Sequence, residues 1–260
     1  MSDAPVSFSK SGNIGTITLN RPPANSYEME FMQAMDAAID AANRDAEVKV
    51  VILKSASEKF FCAGADIKAF MANDTPANMK MVATAHKALG KMADSPKVFI
   101  AAINGHALGG GLEIALACDL RYAAEGDYRM GLPEVTLGLL SGNGGTQRLP
   151  RLIGANKALE LMLTGSTFTP ADALQYGVVN KLFPADQLFA EVEKIAGRLA
   201  NGASLAIANI KKAVYQGIEL DLQDGLKVER ELVEPLFNSK DAAEGLTAFV
   251  EKRKAVFQGQ

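Results

Sequence analysis

No tryptophan occurs in the 260 residues, histidine is limited to His86 and His106, and cysteine to Cys62 and Cys118. Two histidines leave little to build a histidine-ligated metal centre, and no metal or redox cofactor is expected. Two cysteines in apolar surroundings, without paired spacing, read as packed, reduced thiols. No stretch approaches the run of about 18 apolar residues that spans a bilayer. The opening MSDAPVSFSKSG also lacks the apolar core of a signal peptide and the arginine-rich face of an organellar leader. The expectation is a soluble cytoplasmic protein. Net charge is −3 with Lys and Arg dispersed, so neither nucleic acid nor an anionic membrane is an expected partner. A nucleophile elbow is missing too: Leu140-Ser141-Gly142-Asn143-Gly144 lacks the glycine two before the serine. No G-x-G-x-x-G follows the N-terminal strand, which argues against a dinucleotide site.

What is present is a chain 48% hydrophobic, long enough for one sizeable domain with its own core. Residues 6–20 read as a hairpin turned at Ser11-Gly12-Asn13. From Ser26, Met29, Met32, Met35 and Ile39 recur at helical spacing. VKVVILKS at 48–55 and residues 97–104 read as buried strands, with a helix marked by Val82, Ala85, Leu89 and Met92 between them. A helix is expected over 112–120 and a strand in CDLRYAA after it, followed by a glycine-rich loop from 126 to 150. A loop that long in a compact domain is usually functional. Thr169-Pro170-Ala171-Asp172 is a helix start with a capping box, Gly177 closes that helix, and residues 178–183 form a last strand. This alternation is α/β. Beyond Pro184 the pattern is helical throughout, and amphipathic helices at a chain end need a surface to cover, the core or another subunit.

Three features carry candidate chemistry. Gly109-Gly110-Gly111 opens an apolar helix, either as a turn that packs the helix closely on a sheet or as a donor site whose free N–H groups face an anion. Glu113 lies in the first turn of that helix, and Glu134 follows Gly131-Leu132-Pro133. A carboxylate in such apolar company is either stabilised locally or functional, and two facing one pocket supply the parts of acid–base catalysis. His106, after Asn104-Gly105, reads as a turn residue.

Taken together, FCAGADIK (61–68), NGHALGGGLEIALACDLRYAAE (104–125), PEVTLGLL (133–140), GGTQRL (144–149) and LTGSTFTPADALQYGVVNKLFP (163–184) resemble the enoyl-CoA hydratase/isomerase, or crotonase, superfamily over nearly the whole chain. The resemblance implies a spiral of β-β-α repeats over residues 1–195, a C-terminal helical oligomerisation region over 196–260, and a homotrimer or homohexamer. It also implies an acyl-CoA substrate whose thioester oxygen sits between the N–H groups of Ala65 and Gly110. Ala63, Ala65, Asp66, Ile67 and Lys68 would line the coenzyme A side with Gly110. By the same resemblance Glu113 holds and activates water, Glu134 protonates C2, and Gly142 helps hold the water. Coenzyme A enters with the substrate, and no separate cofactor is implied. Three departures stand out: one extra residue between Glu113 and Glu134, RPPANS in place of a more usual N-terminal motif, and Ser141 and Asn143 where proline and alanine are common. The leading reading is a 2-enoyl-CoA hydratase of fatty-acid or related acyl-CoA degradation. The alternatives are a double-bond isomerase, which needs only the carboxylate at 134, and a non-catalytic acyl-CoA or RNA-binding relative.

Overall fold

The computed structural model describes residues 4–260. Strands β1 (Val6–Ser11) and β2 (Ile14–Leu19) form the expected hairpin, paired antiparallel from Val6–Leu19 to Ser11–Ile14. Helix α1 begins at Met29 rather than Ser26 and runs to Arg44. The reason is local: the Tyr27 N–H donates to Gly64 O at 2.9 Å and its carbonyl accepts from Asp66 N at 2.8 Å, so the backbone there is extended. Met32, Met35 and Ile39 of α1 are fully buried, as their spacing requires.

A repeating unit follows. Strand β3 (Val50–Ser55) is succeeded by a short strand β4 (Phe60–Cys62) and helices α2 (Ile67–Ala72) and α3 (Thr75–Asp94). Next come β5 (Val98–Ile103), β6 (His106–Leu108) and α4 (Gly110–Leu116). The third unit is β7 (Leu120–Ala124), β8 (Met130–Gly131), a 3-10 turn over Glu134–Leu137, α5 (Gly145–Ile153) and α6 (Ala155–Thr164). In each unit the first strand joins one sheet and the second another. The large sheet has the order β1-β2-β3-β5-β7-β9, where β9 is Lys181–Phe183, and is parallel from β2 onward; the small sheet is β4-β6-β8, all parallel. This is the expected α/β spiral of β-β-α units.

Three further expectations are corrected. The segment 126–150, read as a loop, holds β8, the 3-10 turn and the start of α5. The helix placed at 112–120 spans Gly110–Leu116 instead, and Leu120 already opens β7. His106 is a strand residue, its Nδ1 accepting the Arg129 N–H at 3.1 Å. The capping box that opens α7 (Pro170–Tyr176) is present as read, with Thr169 and Asp172 bonded reciprocally.

Helix α8 (Leu188–Ala200) packs on the large sheet through Leu188, Val192 and Ala196, so residue 195 falls within it. Helices α9 (Ser204–Gly217), α10 (Leu222–Phe237) and α11 (Lys240–Val250) complete the chain. Lys211 pins α9 to the core, its buried ammonium donating to Met92 O, Lys97 O and Asp119 Oδ2 at 2.6, 2.8 and 2.9 Å. Both cysteines are buried and free, their thiols pushed up to about 12 by burial.

Candidate active site

The small sheet builds the site. Because β4, β6 and β8 lie side by side and parallel, the segments leaving their C-terminal ends converge. These are residues 63–66, 109–111 and 132–134, and such strand ends are the usual ligand position in open α/β sheets. Ala65, Gly110 and Glu134 are brought together by three strands of two or three residues each.

Close approach explains the glycines. A β-carbon on Gly64 would lie 2.8 Å from Leu108 O and 3.3 Å from the Gly110 nitrogen, so the first two segments are in contact. A β-carbon on Gly110 would overlap the Tyr27 hydroxyl, and one on Gly111 the Cys62 carbonyl. Gly109 at φ +53° turns the chain into α4. Neither the Ala65 nor the Gly110 N–H donates to another described residue. They are therefore available to a bound oxygen.

Glu113 is 1% exposed. Its Oε1 accepts the N–H groups of Asn143 and Gly145, both at 2.7 Å. Burial pushes its carboxyl up to about 7 against the pull of those two donors, and the charge of Glu134 adds to the rise. Glu134 is half-buried. Its Oε2 accepts the Ser141 hydroxyl at 2.8 Å, and its Oε1 would lie 2.9 Å from a β-carbon on Gly109. Burial raises its carboxyl above the ordinary value, with Ser141 opposing. One turn, 141–145, thus fixes both carboxylates. Arg148 secures that turn, Nη1 donating to Asn143 O at 2.9 Å, and the Gly142 carbonyl meets His86 Nε2 of α3 at 2.6 Å.

A cavity of about 370 Å³ opens beside Glu134 and Ser141, walled by apolar residues including Leu132, Leu139, Leu140 and Met162. On the other flank, Asp66 is engaged: it caps α2 through Lys68 N and Ala69 N and receives both terminal nitrogens of Arg21 at 3.1 Å. Ile67 and Lys68 are exposed, and Ala63 is half-buried with its N–H on Ala24 O at 3.0 Å.

Sequence reasoning named Glu113, Glu134, Ala65, Gly110 and Gly142, and the fold brings all five to one place. It missed the work of Tyr27, Ser141, Asn143 and Arg148. Ser141 and Asn143 were visible as departures from the family pattern, and Tyr27 directly follows the unusual RPPANS segment.

A sequence profile described as Enoyl-CoA hydratase/isomerase matches residues 9–260. The chain is 38% identical to a short-chain-enoyl-CoA hydratase of Clostridium acetobutylicum, covering 96% of this chain and 95% of that protein. It is 37% identical to a crotonyl-CoA hydratase of Syntrophomonas wolfei, covering 97% of each. The crystal structure of an enoyl-CoA hydratase from Geobacillus kaustophilus HTA426 superposes with a TM-score of 0.97 at 43% identity, covering 100% of this chain and 98% of that one. Family profile, relatives and fold agree, and the chain belongs to the enoyl-CoA hydratase/isomerase family.

Proposed function

We propose that this protein reversibly hydrates a trans-2-enoyl-CoA to the 3-hydroxyacyl-CoA. The observation that carries the reading is the pair Glu113, buried, and Glu134, half-buried, both held by turn 141–145. An isomerase needs one such carboxylate; hydration uses two.

The thioester oxygen lies between the N–H groups of Ala65 and Gly110. Glu113 in its ionised form takes a proton from water as the oxygen attacks C3, with the Gly142 N–H helping to place that water. Charge passes through the conjugated system to the thioester oxygen, where preorganised donors lower the barrier. Glu134 delivers a proton to C2 and the enolate collapses to product. The two carboxylates are interchanged in protonation after one turnover, so a proton exchange with solvent resets them. The apolar cavity beside Glu134 suits the acyl chain, and the 63–68 segment the coenzyme A side. No metal or added cofactor enters this scheme.

The apolar side chains exposed on the C-terminal helices, among them Ile210, Val214, Leu222 and Phe249 at 63%, 59%, 73% and 85%, support assembly into a homotrimer or homohexamer. Among the described residues no helix is long and apolar enough to cross a membrane. Crotonyl-CoA tests the reaction: its enoyl absorbance should decay with the protein, and a 3-enoyl-CoA should not be converted as fast. Rapid conversion of the 3-enoyl thioester alone would make the protein an isomerase.

A further inference from the structure

Tyr27 carries a buried hydroxyl that the two-glutamate scheme leaves idle. The residue is 4% exposed. Its oxygen accepts a hydrogen bond from Asn143 Nδ2 at 2.6 Å, which fills one lone pair and directs the phenolic proton elsewhere. Among the described residues nothing accepts that proton. A buried O–H with unspent donor capacity is costly unless a ligand takes it.

Its position says which ligand atom that is. The Tyr27 main chain brackets Ala65, bonding to Gly64 O at 2.9 Å on one side and to Asp66 N at 2.8 Å on the other. Its hydroxyl meanwhile abuts Gly110, where a β-carbon would overlap it. The residue is tied by its backbone to one donor of the oxyanion site and touches the other with its oxygen. Ser141, a hydroxyl on the same turn as Asn143, is already spent on Glu134.

We propose that the Tyr27 hydroxyl is a third donor to the thioester oxygen, aimed by Asn143, beside the N–H groups of Ala65 and Gly110. The inference rests on the thioester reading above. No covalent step is involved: the phenol keeps its proton, and its hydrogen bond strengthens as charge gathers on the oxygen. Burial and the nearby carboxylates hold Tyr27 ionisation well above the ordinary value, consistent with a neutral donor. Tyr27 and Asn143 form a pair, since the amide matters here only if the phenol is present.

The test is Tyr27→Phe, which keeps the ring beneath Gly110 and removes one oxygen. Turnover of crotonyl-CoA should fall on the order of 100-fold with KM nearly unchanged, the usual penalty for one lost oxyanion donor. Acetoacetyl-CoA gives a readout that packing alone would not move: the absorbance of its bound enolate should weaken in Tyr27→Phe, while butyryl-CoA binds as before. Asn143→Ala, with the same readouts, should give a smaller loss of about tenfold and serves if Tyr27→Phe does not fold. Wild-type turnover and an unchanged enolate band in either folded variant would overturn the proposal. A wild-type protein that hydrates no enoyl thioester would overturn the functional reading instead, and the enolate band would still judge Tyr27.

Discussion

Gly64 and Gly110 face each other so closely that a β-carbon on Gly64 would lie 3.3 Å from the Gly110 nitrogen and 2.8 Å from Leu108 O. This contact sets the two proposed oxyanion donors side by side. Gly64 is also at φ +91°, closed to most side chains. Gly64→Ala should therefore lower stability by about 2 kcal/mol and cut turnover as the two segments part. Urea melts and initial rates check both; a variant as stable and active as wild type would show that the contact is dispensable.

Glu134→Gln keeps an acceptor for Ser141 but, in the proposed mechanism, has no proton to deliver at C2. Turnover should drop on the order of 1,000-fold, within the range for loss of a general acid, with little change in thioester affinity. Steady-state rates with a binding titration of butyryl-CoA separate the two effects.

Glu113 makes stability depend on pH in an unusual direction. Its folded value, about 7, lies above the ordinary 4.5, so between those values the folded state binds the proton more tightly than the unfolded chain. Its contribution is fully present below about 4.5 and is lost as pH rises through about 7, on the order of 3 kcal/mol. Glu113→Gln should abolish this component, and wild type should lose more stability than the variant between pH 5 and pH 8. Parallel melting curves for both proteins measure it, alongside a large loss of turnover in the variant.

Ser141 donates to Glu134 at 2.8 Å and stabilises its charged form. Ser141→Ala should raise the Glu134 carboxyl further, moving the limb of the pH–rate profile that reports its ionisation to higher pH. The rate should fall about tenfold as the carboxylate loses its aim. A profile that does not move would separate Ser141 from the acid.

The large sheet was legible because β3 (VVILKS) and β5 (VFIAAI) are mostly apolar runs long enough to register as buried strands. The small sheet was not: Phe60–Cys62, His106–Leu108 and Met130–Gly131 are too short to show a period. Their pairing emerges only when the parallel sheet stacks them, and for that reason His106 read as a turn. Glu113 stood out as a lone charge on an apolar helix, and Gly110 through its neighbours. Asn143 and Tyr27 could not be paired from sequence, since a hydrogen bond between side chains of distant segments leaves no local pattern. Ser141 and Asn143 were visible as departures, yet what each touches depends on the folded turn.

Turnover of crotonyl-CoA in ¹⁸O-labelled water tests the two-glutamate mechanism most directly. The predicted result is loss of the enoyl absorbance with formation of a product heavier by one labelled water, its label in the hydroxyl at C3, and near-complete loss of that product with Glu113→Gln. Persistence of the enoyl band, or a product of unchanged mass, would contradict it.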